Sequence, residues 1–516
     1  MRILIAPKSY HRSLLSFFRE EDAFADIKLF TKEDLQKICL PSFGNEALNY
    51  LIIKKNYRYD FARKILNYLT YCKNAEGTKK LEDLSKLYDE LVKQDLLLDE
   101  SISDFIQNKD VEIFGYSNND CELLNCLKIL NLTAKFPSFV KNREYSDVVV
   151  YEKIEDEVHL TLNQIAALID QGVKPNNIYI FNRNEEYNYY LKKFSKLYGF
   201  NINGLLSQSW FTTGAYALFI KMYKENHDIS SSLNELKMNM KDDDLYPDFE
   251  QLINGCINNE FSFDQQLDVI EQVCKRSSIK EPIYTNAVES ISEPIISKDK
   301  HIFIIGFAQG YFPRTSKENC YLNDLELQKI GRLTSNDKVE SDINEIKLFL
   351  QSDNHIYISY SKQSLSNQFY ASPFLSILEM KNIKPLLTDY FYSKTALSYI
   401  YSDLKDKNYF YHETSDDFYK IGNTVEISYN TFDNSIKNTI DCYDSNTLLK
   451  LSTTGLDKYS NCPYSYYLSK ILELDNETHF NAQIGMVCHS ILESIFNKNF
   501  EFNTRFDEEI AKFDFG

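Results

Sequence analysis

The chain has 516 residues, 43% of them hydrophobic and 26% charged, with 57 basic side chains against 75 acidic ones and a net charge of −18. That length asks for about three domains rather than one core, and the hydrophobic share excludes wholesale disorder. The acidic balance disfavours a simple coating protein of DNA or RNA, which is usually basic, while a large enzyme can still carry a local basic groove. In chain order, residues 1–6 (MRILIA) and 26–30 (DIKLF) read as strands. Apolar spacing then predicts helices around 48–52, 61–69 and 81–98. VEIFGY (111–116) is a buried strand, followed by an amphipathic run through Leu123, Leu124, Leu127 and Leu130. Strands alternating with helices point to a parallel sheet covered on both faces.

A second α/β unit opens near residue 146 with the strand DVVVYEK. The helix that follows carries Val158, Leu162, Ile165, Leu168 and Ile169 on one face and is closed by Gly172. NNIYIFN (176–182) is a strand, and the next helix is closed by Gly199. Residues 222–285, including KMNMKDDDLYPD, read as a polar helical insertion. The strand HIFIIGF (301–307), a helix near 339–352 and the strand HIYISYS (355–361) complete this unit. The stretch 400–450 reads as a polar, irregular connector, and a third unit begins near Leu451.

No run of about 18 apolar residues is available to span a bilayer. The opening MRILIAPKSYHRSLL has only a short apolar run before Pro7 and Lys8, unlike a secretory signal. A cytoplasmic protein with reduced thiols is expected. The ten cysteines are scattered, and the nearest pair, Cys121 and Cys126, has no second pair to complete a zinc site.

Two tandem α/β units invite an NTPase reading, which needs a glycine-rich turn whose amides wrap phosphate, then Lys and a hydroxyl residue. After the first strand this chain offers Pro7, Lys8, Ser9 and Tyr10, with no glycine. The strand VEIFGY ends in Phe114 where a magnesium-binding acid would stand. No ATP binding is expected.

The segments 154–191, 301–331 and 345–375 resemble the second RecA-like domain of UvrD-type helicases, in the form found in AddB/RexB subunits of bacterial helicase–nucleases. Residues 110–130 resemble the degenerate first-domain acid motif of that family. In this alignment of motifs Arg183 falls where active relatives place a phosphate-contacting arginine, and it reads equally as a surface salt-bridge residue. The last motif shows Glu345 and Lys347 and no arginine, in keeping with a missing nucleotide site. STTGLDKYSNCPYSYYLSKILEL (452–474) and NAQIGMVCHSILESIF (481–496) are similar to the opening of the PD-(D/E)XK nuclease domain of the same subunits.

The resemblance implies an α/β protein of two RecA-like parallel-sheet domains (1–140 and 146–395), a connector (396–450) and the start of a nuclease domain (451–516). It implies that Cys462 is the first ligand of a [4Fe–4S] cluster and that His489 belongs to a Mg²⁺ or Mn²⁺ site, with Gly485, Glu493 and Tyr459 in support. It also implies a DNA substrate, a role in end resection and recombinational repair, and an AddA/RexA-type motor subunit as partner. From the residues alone, Cys462 also reads as core packing at a helix–Cys–Pro–helix corner. His489 likewise reads as a helical histidine paired with Glu493, one turn away on the face it shares with Gly485. Thr454 and Asp457 are expected to cap the first helix of this unit, with Tyr464, Tyr467 and Leu468 turned inward in the next. Cys488, on the stripe of Ile484, Val487, Ile491, Leu492, Ile495 and Phe496, is expected in the core.

The nuclease chemistry needs an Asp and a Glu-x-Lys. No Glu-x-Lys follows His489, only acidic residues such as Asp507, Glu508, Glu509 and Asp514. The sequence is therefore expected to be a fragment or truncated form of a longer nuclease. A non-catalytic DNA-binding scaffold and a Cas4-like exonuclease are the alternatives.

Overall fold

The computed structural model describes residues 2–21, 24, 26–98, 106–137, 145–205, 208–239, 246–279, 282–315, 321–364, 367–384, 393–428, 451–472, 480–495 and 500–511. It divides into two compact units, Met1–Tyr401 and Ser402–Gly516. The chain is a mixed α/β protein with two parallel sheets in the first unit.

The strands of the first segment are β1 (Arg2–Ile5), β2 (Ile27–Phe30), β3 (Ser42–Phe43), β4 (Leu97–Leu98), β5 (Asp110–Ile113) and β6 (Thr133–Lys135). Four of them make a parallel sheet in the order β2-β1-β5-β6, while β3 and β4 pair antiparallel by themselves. The helix expected over 81–98 stops at Lys93, because Asp95 takes a positive φ of 58° and Leu97 and Leu98 leave as β4. Of the run after β5, Leu123, Leu127 and Leu130 are buried while Leu124 is exposed.

The second sheet uses β7 (Val148–Lys153), β8 (Ile178–Phe181), β9 (Ile202–Asn203), β10 (Val288–Ile291), β11 (His301–Ile304), β12 (His355–Gln363) and β13 (Asn382–Ile383). Their order is β13-β7-β12-β11-β8-β10-β9, with every pairing parallel. The helix Ile154–Asp170 buries Ile154, Val158, Leu162 and Ile165 completely, the 3.6-residue stripe that its sequence carries. As the sequence indicates, Gly172 and Gly199 follow their helices with positive φ.

The largest core belongs to neither sheet. Helices Asn45–Lys55, Tyr59–Leu69 and Lys79–Lys93, inserted between β2 and β5, pack with Gly214–Asn226, Ile229–Asn239, Tyr246–Asn254 and Phe263–Arg276, inserted between β9 and β10. Leu51, Leu69, Leu81, Phe219, Leu236, Phe249 and Ile270 are all wholly buried there. Each such side chain contributes about 1.5–3 kcal/mol relative to exposure. The second insertion therefore starts by Gly214 rather than 222, and its polar average conceals a strongly apolar inner face. Residues 240–245, within the acidic stretch KMNMKDDDLYPD, lie outside the described residues.

Beyond the second sheet the chain is more regular than expected. Lys394–Tyr411 and Asp416–Gly422 are helices, the latter capped by Ser415, whose hydroxyl accepts from the Phe418 N–H. The rest of the expected connector, 429–450, lies outside the described residues, as do Cys320, Cys442, Phe496 and Asp514. The helices Thr453–Asn461, Pro463–Tyr466, Phe480–Ser494 and Phe502–Ile510 follow. No helix among the described residues is long and apolar enough to cross a membrane.

Candidate functional site

The carboxyl ends of β1 and β5 are where a parallel α/β sheet offers its ligand crevice. Only Ala6 and Pro7 separate β1 from the helix Lys8–Glu21, so no loop is long enough for its amides to wrap a phosphate. The Tyr10 N–H turns back to the Pro7 carbonyl at 2.9 Å. Gly115, just past β5, has a positive φ of 68°, and a Cβ there would meet Pro7 Cδ and the Tyr10 ring at 2.9 Å. Phe114 is 3% exposed, donates its N–H to the Ile5 carbonyl at 2.9 Å, and lies edge-on to Phe18. Side chains thus occupy the ground that phosphates and a metal would need.

Opposite them the helix Ser335–Leu350 supplies Glu345, whose Oε1 accepts a 2.6 Å hydrogen bond from the Tyr10 hydroxyl. A cavity of about 590 Å³ opens beside this pair, lined among others by Phe114, Tyr116, Tyr145 and Lys347. Lys347 is the one cation among its described lining residues. Burial, reinforced by the neighbouring carboxylates Glu293 and Asp342, pushes the Glu345 carboxyl up to about 7. Burial and the Glu345 charge likewise hold the Tyr10 hydroxyl well above its ordinary value.

An acid raised by burial is stabilising while protonated. Its contribution is complete below the unfolded value near 4.5, declines as the unfolded chain ionises, and is gone above about 7. Glu345→Gln is therefore expected to match the wild type near pH 4 and to exceed its stability by about 2–3 kcal/mol at pH 8. Urea unfolding at both pH values checks this; a difference independent of pH would refute the assignment.

Arg183, at the end of β8, has a side chain with no exposed surface. Its Nη1 and Nη2 grip Asp342 at 2.9 and 2.8 Å, Nη2 reaches Glu293 at 3.4 Å, Nη1 donates to the Tyr311 carbonyl, and Nε donates to the Ser292 carbonyl. Those bonds occupy the five N–H groups of a guanidinium, and the rings of Phe181 and Phe312 lie against it at 5.3 and 5.0 Å. Arg183 is thus an ion-pair residue, but a buried one rather than a surface one. It has no donor left for a phosphate. Three carboxylates, Glu293, Asp342 and Glu345, surround it where an ATP-using protein would gather positive charge.

In the second unit, Ser452 rather than Thr454 caps the first helix, accepting from the Gly455 N–H at 3.0 Å. Ser452 sits one turn before the amide that needs a partner, whereas Thr454 is already inside the helix. The helix stops at Cys462 and Pro463 opens the next, as the Cys–Pro pair requires. The Cys462 sulfur is half-buried and accepts from the Ser465 N–H at 3.5 Å, so it acts as an N-cap. Tyr464 is exposed, while Tyr467 and Leu468 are half-buried; Tyr459 is exposed and meets Tyr466 edge-on at 5.5 Å.

On the helix Phe480–Ser494, only Val487 and Ile491 of the described apolar stripe are buried. Cys488 is exposed, against expectation, because this helix buries a stripe one residue wide rather than a whole face. His489 and Glu493 are exposed and Gly485 is half-buried, with no ion pair between His489 and Glu493 among the described residues. No three metal-ligating side chains gather among the described residues, around His489, Cys462 or elsewhere. These residues alone therefore do not fit a divalent metal or a cluster. Cys121 is exposed and Cys126 buried; Cys126 lies instead against Cys39, whose thiol contact with burial holds it well above the usual thiol range.

The sequence singles out Lys8, Phe114, Arg183 and Glu345, and Tyr10 only as part of the glycine-free turn; it points neither to the contact of Tyr10 with Glu345 nor to Asp342. The local signal for Tyr10 was its place one turn into the helix after β1; nothing local identifies Asp342. Residues 450–514 match the family model of the PD-(D/E)XK nuclease superfamily, so a domain of that superfamily stands at the carboxyl end of the described chain. No curated protein matches the sequence.

Proposed function

We propose that this chain is the nuclease-bearing, ATP-silent helicase-like subunit of an AddB/RexB-type complex, acting on DNA ends beside an AddA/RexA-type motor in recombinational repair. The observation that carries the reading is a conjunction. A PD-(D/E)XK domain at 450–514 follows two parallel-sheet segments, the first of which has its phosphate position closed by Pro7 and Tyr10. On this reading 1–140 and 146–395 are RecA-like domains that guide DNA without hydrolysing ATP, and 396–450 joins them to the nuclease domain. His489 contributes to the Mg²⁺ or Mn²⁺ that a nuclease of this superfamily uses, and Cys462 to a [4Fe–4S] cluster. Each group needs further ligands besides these two side chains.

The test uses the purified protein with end-labelled single-stranded DNA and Mg²⁺. Cleavage is expected in the wild type, background activity in His489→Ala, and no ATP turnover in either when the motor subunit is absent. Retained cleavage in His489→Ala would remove His489 from the site. DNA binding without any cleavage would support a non-catalytic scaffold, and ATP turnover would overturn the reading of the β1 turn.

A further inference from the structure

The helix Glu186–Tyr198 turns one stripe of side chains to solvent. Tyr189, Lys192, Lys193 and Lys196 fall at i, i+3, i+4 and i+7, so they share a face, and all four are exposed, Tyr189 to 64%. A second helix extends this surface. The Ser393 hydroxyl donates to the Leu197 carbonyl, which sets the start of the helix Lys394–Tyr411 beside the stripe, with Lys394 exposed and Tyr399 40% exposed. Lys193 joins the two helices. Its ammonium lies 5.8 Å from the Tyr189 ring centre, 5.2 Å from that of Phe194 and 5.4 Å from that of Tyr399, and donates to the Tyr399 hydroxyl at 3.4 Å. The rings beneath are anchored in the core. Phe194 is wholly buried, stacks on His159 at 4.0 Å and packs against Tyr399 at 5.2 Å.

The charge here departs from that of the chain. Against 75 acidic side chains in 516 residues, the stretch 187–224 has five lysines and neither Asp nor Glu. Lys193, Lys196 and Lys394 have no carboxylate partner among the described residues. Glu186 closes the stripe at the first turn of the helix, where it accepts from the Asn367 side chain, and Glu155 lies beside Tyr190. A lysine held on aromatic rings instead of on an acid keeps two of its three N–H groups for a further acceptor. Phosphates supply such acceptors, and exposed tyrosine faces suit unpaired bases, the combination by which single strands are held without sequence preference. A duplex offers the phosphates but no base faces. Lysine is depleted at protein interfaces, so a stripe of lysines without acids favours a polyanion over a protein partner.

We propose that this surface binds single-stranded nucleic acid, with Lys193, Lys196 and Lys394 on phosphates and the rings of Tyr189 and Tyr399 against bases. The proposal rests on the reading of the chain as a subunit that guides DNA and adds the place where the strand lies. That place is separate from the closed cleft, since none of these five residues lines the cavity beside Tyr10 and Glu345.

The experiment titrates fluorescein-labelled oligo(dT) with the purified whole chain in EDTA, which prevents cleavage, and follows anisotropy over a series of salt concentrations. Tyr189→Ala is expected to weaken binding about tenfold with the salt dependence unchanged, and Tyr189→Trp to keep wild-type affinity. Lys193→Gln combined with Lys196→Gln should flatten the slope of log affinity against log salt by about 1.4, the share of two phosphate contacts on a single strand. All these positions are exposed, so circular dichroism should not change. The inference fails if the variants bind like the wild type, if the slope survives loss of both lysines, or if poly-glutamate competes as well as unlabelled oligo(dT). A wild type that binds and cleaves, with variants that bind equally well, would overturn this surface and leave the proposed function standing. A wild type that neither binds nor cleaves would overturn both.

Discussion

Glu157→Ala is expected to cost the first unit about 3–5 kcal/mol, because it strands several buried donors at once. Glu157 is wholly buried in the first turn of the helix Ile154–Asp170. Its Oε1 accepts from the Ser359 hydroxyl at 2.6 Å and the Gly306 N–H at 3.0 Å, and its Oε2 from the Tyr187 hydroxyl at 2.5 Å. Tyr187 in turn shares a 2.8 Å hydrogen bond with Ser361. One carboxyl group thus ties the helix after β7 to β12, to the turn after β11 and to the helix after β8. Burial raises its pKa, the direction expected of a carboxyl placed in apolar surroundings, and the three donors oppose that shift. Glu157→Gln keeps one acceptor oxygen and nearly the same volume, so it should cost only about 1 kcal/mol. Urea unfolding of both variants decides the matter: equal losses would show that side-chain shape, not the acceptor, holds the three elements.

The second large effect is expected at Asp342. Asp342→Ala leaves the buried Arg183 guanidinium with Glu293, at 3.4 Å, as its ion-pair partner and also removes the acceptor of the Arg314 N–H, which lies 2.9 Å from Asp342. A buried charge deprived of its main partner costs about 3–5 kcal/mol. Removing both charges in Arg183→Met with Asp342→Leu should recover much of that loss, because two well-packed apolar side chains avoid the desolvation penalty altogether. A double-mutant cycle measures the coupling. If the double variant were as unstable as the sum of the singles, Arg183 and Asp342 would be acting separately.

Much of this was legible in the residues. The strands around 1–6, 26–30, 111–116, 148–153, 178–181, 301–304 and 355–361 announced themselves as short apolar runs between turn signals, because a strand buried on both faces has no polar positions to spare. The short, glycine-free link between β1 and the helix Lys8–Glu21 was likewise legible, since Pro7 fits the residue before a helix and no glycine stands between Ile5 and Tyr10. The helix–Cys–Pro–helix corner at 462 was equally local, because proline restricts the residue before it.

Other features were not legible. Cys488 sits in an apolar pattern yet is exposed, because a pattern of apolar residues marks a face without saying that anything covers it. The register of a capping residue slipped from Ser452 to Thr454 because both are good caps and the choice depends on where the preceding chain enters.

What the sequence determined by itself, then, is everything set within a few residues: strand periods, helix faces, the closed turn after β1, and the proline corner. Only the tertiary structure decided that helices from 45–93 and 214–276 share one core, that Tyr10 meets Glu345, and that Arg183 spends its donors on Asp342, Glu293 and two carbonyls. Those partners lie more than a hundred residues apart along the chain, and each carries an amphipathic or charged pattern that many others could satisfy. Their pairing is selected by the shape and charge of the whole assembled unit, which no local spacing encodes.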